Sequence, residues 1–97
     1  MAMHNPPHPG EFIREVYMEP AGLSVRRVAE ALRVAPSTFN RLIRGKSRVT
    51  PEMALRLSRV FGRSPESWLA MQDAYDLWVA RRTVAVDDLQ PLDMGAA

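Results

Sequence analysis

Apolar residues recur at helical spacing along most of the chain. In residues 23–47 they form two short stripes, which consist of Val25, Val28, Ala29 and Leu32 and then of Phe39, Leu42 and Ile43. Such stripes predict two amphipathic helices, each with one buried and one exposed face. Ser24 precedes the first helix as an N-cap, and Gly45 follows the second as a C′ residue. Since the connector 33–35 is short and Pro36 favours a helix start, we expect a helix-turn-helix.

Two more helices are predicted, one before this pair and one after it. The first runs from Pro9 to about Met18 and is ended by the breakers in residues 20–22. Its predicted inward side chains are Phe12, Ile13, Val16 and Tyr17. The other is capped by Thr50 and ends at Gly62. Its apolar arc is wide, which predicts extensive burial of Met53, Ala54, Leu55, Leu57, Val60 and Phe61.

The last helix is the longest, because no helix breaker occurs between Pro65 and Thr83. It carries more apolar residues than one buried face needs. They form two stripes, one of Trp68, Leu69 and Val79 and one of Met71, Ala74, Tyr75 and Trp78. One stripe closes the core of the domain. Two explanations stay open for the surplus aromatic stripe, namely contact with a second copy of the chain and ordinary core packing.

Together these patterns predict an all-α fold, a compact domain of five helices in residues 9–82. A chain of 97 residues is long enough for one modest core. Residues 1–8 contain prolines and both histidines and predict a flexible N-terminal arm. Residues 83–97 predict a short C-terminal tail, for which an edge strand, an ordered tail and a disordered end all remain open.

Composition excludes several classes of protein. The chain has no cysteine, which excludes disulfides, thiolate metal sites and cysteine nucleophiles. No apolar run reaches the length of a membrane span, and the N-terminal residues lack the basic and apolar regions of a signal peptide. We therefore expect a cytoplasmic protein without membrane contact.

The charge is distributed unevenly, although the net charge is only +2. Residues 23–63 contain ten basic residues and two glutamates, a net charge of +8. Residues 1–22 contain one arginine and three glutamates, a net charge of −2, and residues 64–97 contain two arginines and six acidic residues, a net charge of −4. A basic centre that coincides with a helix-turn-helix favours nucleic-acid binding over an ordinary solvated surface.

The exposed face of the third helix and the loop behind it supply the candidate DNA contacts. The predicted DNA-binding residues are Ser37, Thr38, Asn40, Arg41, Arg44, Lys46 and Arg48. In the major groove Asn40 would pair with adenine and Arg41 with guanine. Arg44, Lys46 and Arg48 would mainly contact phosphates. Each residue also has a plainer explanation, such as a helix cap for the two hydroxyls, a solvated Asn40, or an Arg44 that pairs with a helix carbonyl.

No enzyme class fits the sequence. It contains no glycine-rich phosphate loop, no HExxH motif and no nucleophile elbow. The two histidines, His4 and His8, both fall in the predicted arm and have no third ligand nearby, so neither a metal site nor a cofactor is expected. The aspartates of the last helix, Asp73 and Asp76, are expected to be solvated carboxylates.

Several of these motifs resemble one known family. From about His8 to Leu77 the chain is similar to the HigA-type antitoxins of bacterial toxin–antitoxin modules, within the Xre and lambda-repressor-like class. The segments RGK and ALRLSRVFG are shared by many repressors of that class. HPGE near the start and SPESWLAMQDAYDL after the fourth helix are more particular to HigA-type proteins.

The resemblance implies a lambda-repressor-like fold and a homodimer that binds a palindromic operator in its own promoter. It also implies a partner, a HigB-type toxin that cleaves mRNA on the ribosome. The base-facing helix of the family corresponds here to residues 36–44. One position departs from the wider class, because Ala35 stands in the turn where many repressors have a capping Ser or Thr.

Three functional hypotheses follow. The first is a dimeric autorepressor that is also an antitoxin, and the second is a repressor without a toxin partner. The third, a toxin-binding protein with a weak DNA-binding helix, is disfavoured by the basic centre of the chain. A dimer would hold two recognition helices roughly 34 Å apart, one turn of the duplex.

Overall fold

The computed structural model describes residues 5–95, which contain five helices. Helix α1 is continuous and has three parts: α-helical Pro9–Phe12, π-helical Ile13–Met18 and α-helical Glu19–Ala21. The others are α2 (Val25–Leu32), α3 (Pro36–Ile43), α4 (Pro51–Phe61) and α5 (Pro65–Thr83). Residues 5–95 contain no strand. The predicted all-α fold with five helices is therefore confirmed, whereas residues 1–4 of the predicted arm and residues 96–97 of the tail lie outside the described part.

Helix α1 continues past the proline that was expected to end it. Pro20 lies in the last helical part, and the chain leaves the helix only at Gly22, which has a φ of 64°. The π-helical turn ahead of Pro20 explains this, since the Glu19 N–H donates to the Arg14 carbonyl five residues back. A widened turn accommodates a proline ring that would clash with the carbonyl one α-helical turn earlier.

The core lies where α1, α2, α3 and α4 meet the first half of α5. Its fully buried large side chains include Ile13, Leu32, Phe39, Leu42, Leu57 and Trp68. Two residues predicted to be buried are not, since Val16 is 46% and Leu55 59% exposed. Val16 lies in the π-helical part of α1, whose wider turn rotates it away from the position that α-helical spacing predicts. Leu55 lies about 100° around α4 from the nearest of the other apolar residues, outside the buried arc.

The side chains of Ser24, Thr50 and Ser64 each accept a hydrogen bond from the backbone N–H three residues later. These contacts confirm the predicted N-caps of α2 and α4 and show that Ser64 caps α5 in the same way. Ala35 begins α3 with no side-chain cap, which agrees with its departure from the repressor pattern. The N-terminus of α3 therefore keeps backbone N–H groups that no side chain of the cap residue satisfies.

Helix α5 buries one edge against the core, and its other side chains are partly or fully exposed to solvent. Trp68 and Gln72 are its buried residues, while Tyr75 and Trp78 are half-buried and Leu77 is 49% exposed. Beyond Thr83 residues 84–95 form neither helix nor strand, and all of them are exposed. No helix within residues 5–95 has the length and apolar character that crossing a membrane requires.

Candidate nucleic-acid interface

The turn between α2 and α3 is stabilised from outside the motif. Arg33 ends α2 in the left-handed region, with a φ of 59°, a conformation that costs a non-glycine residue about 1 kcal/mol. Arg56 on α4 donates from Nη1 to the Leu32 carbonyl at 2.8 Å, and Glu52 holds the same guanidinium at 3.0 Å. Arg56 therefore caps the end of α2 and supports the strained turn.

Helix α3 presents a polar face to solvent. Phe39, Leu42 and Ile43 are buried on one side. The opposite side carries the side chains of Ser37, Thr38, Asn40, Arg41 and Arg44, of which only Asn40 is half-buried. At eight residues α3 is about 12 Å long. It has no acidic side chain, so its exposed face is uniformly neutral or positive, a charge that favours contact with the polyanionic DNA backbone.

The chain leaves α3 through a tight turn that keeps the next basic residue nearby. Gly45 has a φ of 74°, and the Lys46 N–H donates to the Arg41 carbonyl at 2.9 Å. Gly45 is thus the C′ residue that the sequence predicted. Lys46 is exposed directly beyond the helix. The structure therefore brings the six predicted residues from Ser37 to Lys46 onto one helix and its final turn.

Arg48 is differently placed from the other six predicted residues. Its Nη2 lies 2.7 Å from Asp76 Oδ2 and 3.8 Å from Asp73 Oδ1, both on α5. Two carboxylates already surround its charge, although the side chain is 55% exposed. The sequence-based expectation that Arg48 mainly contacts phosphate did not include these partners. Of the seven predicted residues, it is the one that the structure ties to another element.

Gln72, which the sequence analysis did not single out, and Asp76 complete this contact from α5. Gln72 is 1% exposed, accepts the Val49 N–H at Oε1 at 2.7 Å, and donates from Nε2 to Asp76 Oδ1 at 2.9 Å. Burial raises the pKa of Asp76, but the hydrogen bonds from Arg48 and Gln72 together with the positive charge of Arg48 outweigh it, and the net pKa lies below the ordinary value. The expectation that Asp76 is merely solvated is therefore wrong. The position of Gln72, one turn after Trp68 on the buried edge, was the available signal.

His8 packs against the other side of the same loop. It is 8% exposed, its Nδ1 accepts the Gly10 N–H at 2.9 Å as the N-cap of α1, and its ring meets Tyr75 edge to face at 5.0 Å. The assignment of His8 to an arm without a role is thus corrected, and Pro6 is also buried. Within the described residues no cluster of three His, Cys, Asp or Glu could hold a metal ion.

The burial of His8 predicts a pH dependence of folding. Desolvation lowers its pKa below the usual 6.5, against the opposing effects of the Ser47 backbone, Asp76 and Glu11. The folded protein therefore binds a proton at His8 less readily than the unfolded chain. The neutral, buried His8 therefore contributes its full stabilisation to the free energy of unfolding above about pH 6.5. This contribution decreases as the pH falls below 6.5 and through the lowered pKa of the folded state. Urea titrations between pH 7.5 and 5 measure it.

The control for this prediction is His8→Asn, which retains an N-cap acceptor but cannot titrate. We expect the variant to lose the part of the pH dependence between pH 6.5 and 5 that belongs to His8. Unfolding curves of wild type and variant that weaken in parallel over this range would contradict the prediction.

The sequence and fold match known proteins over most of their length. A family model described as Helix-turn-helix matches residues 13–68. YddM, an uncharacterized HTH-type transcriptional regulator of Escherichia coli K12, is 46% identical over 92 residues, which cover 95% of this chain and 97% of the relative.

Two solved structures extend the comparison. An addiction module antidote protein of a HigA family from Coxiella burnetii superposes with a TM-score of 0.84 at 31% identity, covering 93% of this chain and 100% of that one. PA4674 of Pseudomonas aeruginosa, solved in complex with its 18 bp operator DNA, superposes with a TM-score of 0.85 at 30% identity over 93% of this chain and 100% of its own.

Proposed function

Because this chain belongs to the Xre-like helix-turn-helix family, and within it to the HigA-type antitoxins, we propose that it represses its own operon and neutralises a HigB-type toxin. Its general activity is that of a helix-turn-helix DNA-binding regulator. The observation that carries the proposal is the acid-free exposed face of α3, in a fold that matches an operator-bound protein with a TM-score of 0.85.

Within this proposal α3 lies in the major groove and its residues divide by role. Asn40 pairs with adenine and Arg41 with guanine, since their amide and guanidinium groups match those base edges. Ser37 and Thr38, at the N-terminus of the helix, contact the backbone or a base edge. Arg44, Lys46 and Arg48 form the phosphate-facing group in the sequence-based assignment. The ion pairs of Arg48 with Asp73 and Asp76 separate it from this group.

The proposed assembly is a homodimer on a palindromic operator. The half-buried Tyr75 and Trp78 and the exposed Leu77 give the second half of α5 an apolar surface for the partner copy. Two-fold symmetry then repeats α3 about one helical turn along the duplex, roughly 34 Å away.

The DNA-binding half of the proposal is tested by salt dependence. The full chain is titrated with the promoter region of its own operon and with random duplex at several salt concentrations. We expect tighter binding to the promoter, and a slope of log K against log salt of about −0.9 for each phosphate contacted. A promoter affinity that falls no more steeply with salt than that of a neutral control protein would contradict it.

The toxin-binding half needs a separate experiment. The neighbouring gene product is expressed alone and together with this chain, and growth and co-purification are measured. Growth arrest that co-expression relieves, with both proteins in one complex, supports an antitoxin. Harmless expression of every neighbour would favour the second candidate, a repressor without a toxin, which is consistent with relatives that are described only as transcriptional regulators.

A further inference from the structure

Helix α5 holds the loop that follows the recognition helix, in residues 45–49. We propose that Gln72 and Asp76 are positioning residues for this loop in DNA binding, and that Arg48 is the anchor through which Asp76 acts. This inference rests on the proposed DNA-binding function. It assigns to α5, beside its surface for a second copy, a direct effect on the DNA interface.

Gln72 provides the first contact between α5 and the loop. Its amide is 1% exposed, and both polar ends are used, since Oε1 accepts the Val49 N–H and Nε2 donates to Asp76. A buried N–H that loses its acceptor carries an uncompensated desolvation cost, so the position of Val49 is firmly determined. Val49 itself is fully buried.

Asp76 provides the second contact. One carboxylate oxygen accepts from Gln72 at 2.9 Å and the other from Arg48 at 2.7 Å, so Asp76 binds loop residue 48 directly and residue 49 through Gln72. A charged hydrogen bond of this length is among the stronger side-chain contacts. Arg48 and Asp76 are 28 residues apart in the chain, and their pairing therefore orders the loop relative to α5.

The loop is also restrained on its opposite side. The position of a Cβ on Gly45 would lie 3.7 Å from the His8 ring, which places that ring in contact with the start of the loop. The His8 ring in turn packs on Tyr75, one residue before Asp76. Lys46 and Ser47 are thus held between an N-terminal residue and α5, and these are the positions next to the phosphate backbone in the proposed complex.

The positioning role and a purely electrostatic role of Asp76 predict opposite changes in DNA affinity when its carboxylate is removed. Arg48, Asp73 and Asp76 form a cluster with one positive and two negative charges. Removal of a carboxylate from a DNA-binding surface strengthens binding if charge alone acts. If Asp76 positions the loop, its removal weakens binding instead, because the ordering of Lys46 is lost.

The experiment compares Asp76→Asn with Asp73→Asn in the full chain, on promoter DNA, at a temperature where circular dichroism finds each variant folded. Both variants remove one negative charge from the same face of α5, but only Asp76 makes the 2.7 Å contact with Arg48. We expect Asp76→Asn to weaken binding about fivefold and Asp73→Asn to leave it unchanged or slightly stronger. Binding by Asp76→Asn that equals or exceeds that of Asp73→Asn would overturn the proposal.

A double-mutant cycle tests the role of Arg48. Arg48→Ala should weaken binding about as much as Asp76→Asn, and the double variant should bind no more weakly than either single variant. For Arg48→Ala the slope of log K against log salt should equal that of the wild type. A slope reduced by about 0.9 would mean that Arg48 contacts a phosphate itself and would overturn its assignment as an anchor.

Amide exchange gives a readout that needs no DNA. Since Asp76 orients the Gln72 amide, exchange of the Val49 N–H should be faster in Asp76→Asn than in wild type and Asp73→Asn. Equal exchange rates in all three proteins would contradict the positioning role. The two proposals fail in different ways. If the wild-type protein shows no salt-dependent binding to the promoter, the proposed function is wrong. If the wild-type protein binds and Asp76→Asn binds equally well, only this inference is wrong.

Discussion

Replacement of Gly10 by alanine is expected to unfold most of the domain. A Cβ at this position would lie 1.9 Å from the Leu42 carbonyl oxygen and 2.6 Å from the Ile43 Cα. Both are backbone atoms at the end of the recognition helix, so no side-chain rotation relieves the overlap. Separating α1 from α3 would disrupt the core, and we expect a loss of about 3 kcal/mol or more in the free energy of unfolding. Urea denaturation measures this loss.

Gly22→Ala is the matched control for this substitution. Gly22 has a φ of 64° and nothing within 4 Å of the added Cβ, so alanine there meets only backbone strain. That strain is worth about 1 kcal/mol. A similar destabilisation by both variants would mean that the contact between α1 and α3 does not limit the size of residue 10. Gly10→Ala should also abolish promoter binding, because the position of α3 depends on this contact.

The helix-turn-helix was predictable because its determinants are local. The stripe of Phe39, Leu42 and Ile43, the cap Ser24 and the C′ residue Gly45 each act within a few residues. Periodicity and capping express such short-range physics directly. The same holds for the exposed position of Arg41, which follows from helical geometry once the buried side is known.

The contacts that restrain the interface were not predictable in this way. Arg48 and Asp76 are 28 residues apart, and Val49 and Gln72 are 23 apart, so no periodic pattern links them. His8 looked like part of a polar arm because its burial depends on Tyr75, far along the chain. Pairing between distant polar groups is decided by the packing of helices, after local structure is set.

Arg41→Ala is the functional substitution with the largest expected effect. Within residues 5–95 the Arg41 side chain is exposed and forms no ion pair, so it is available for a base edge, in contrast to Arg48. If it makes two hydrogen bonds to guanine, its loss costs about 1 to 3 kcal/mol on the operator and much less on random DNA. Titration of both duplexes in one buffer measures the change in their affinity ratio.

Lys46→Ala is the control, since it removes a neighbouring positive charge beyond the end of α3. A phosphate contact carries no sequence information, so this variant should weaken operator and random DNA alike and reduce the salt slope by about 0.9. Arg41→Ala should instead lower the ratio of operator to random affinity. If Arg41→Ala weakens both duplexes equally, its guanidinium contacts the backbone, and sequence recognition must come from Asn40 and the hydroxyls at the start of α3.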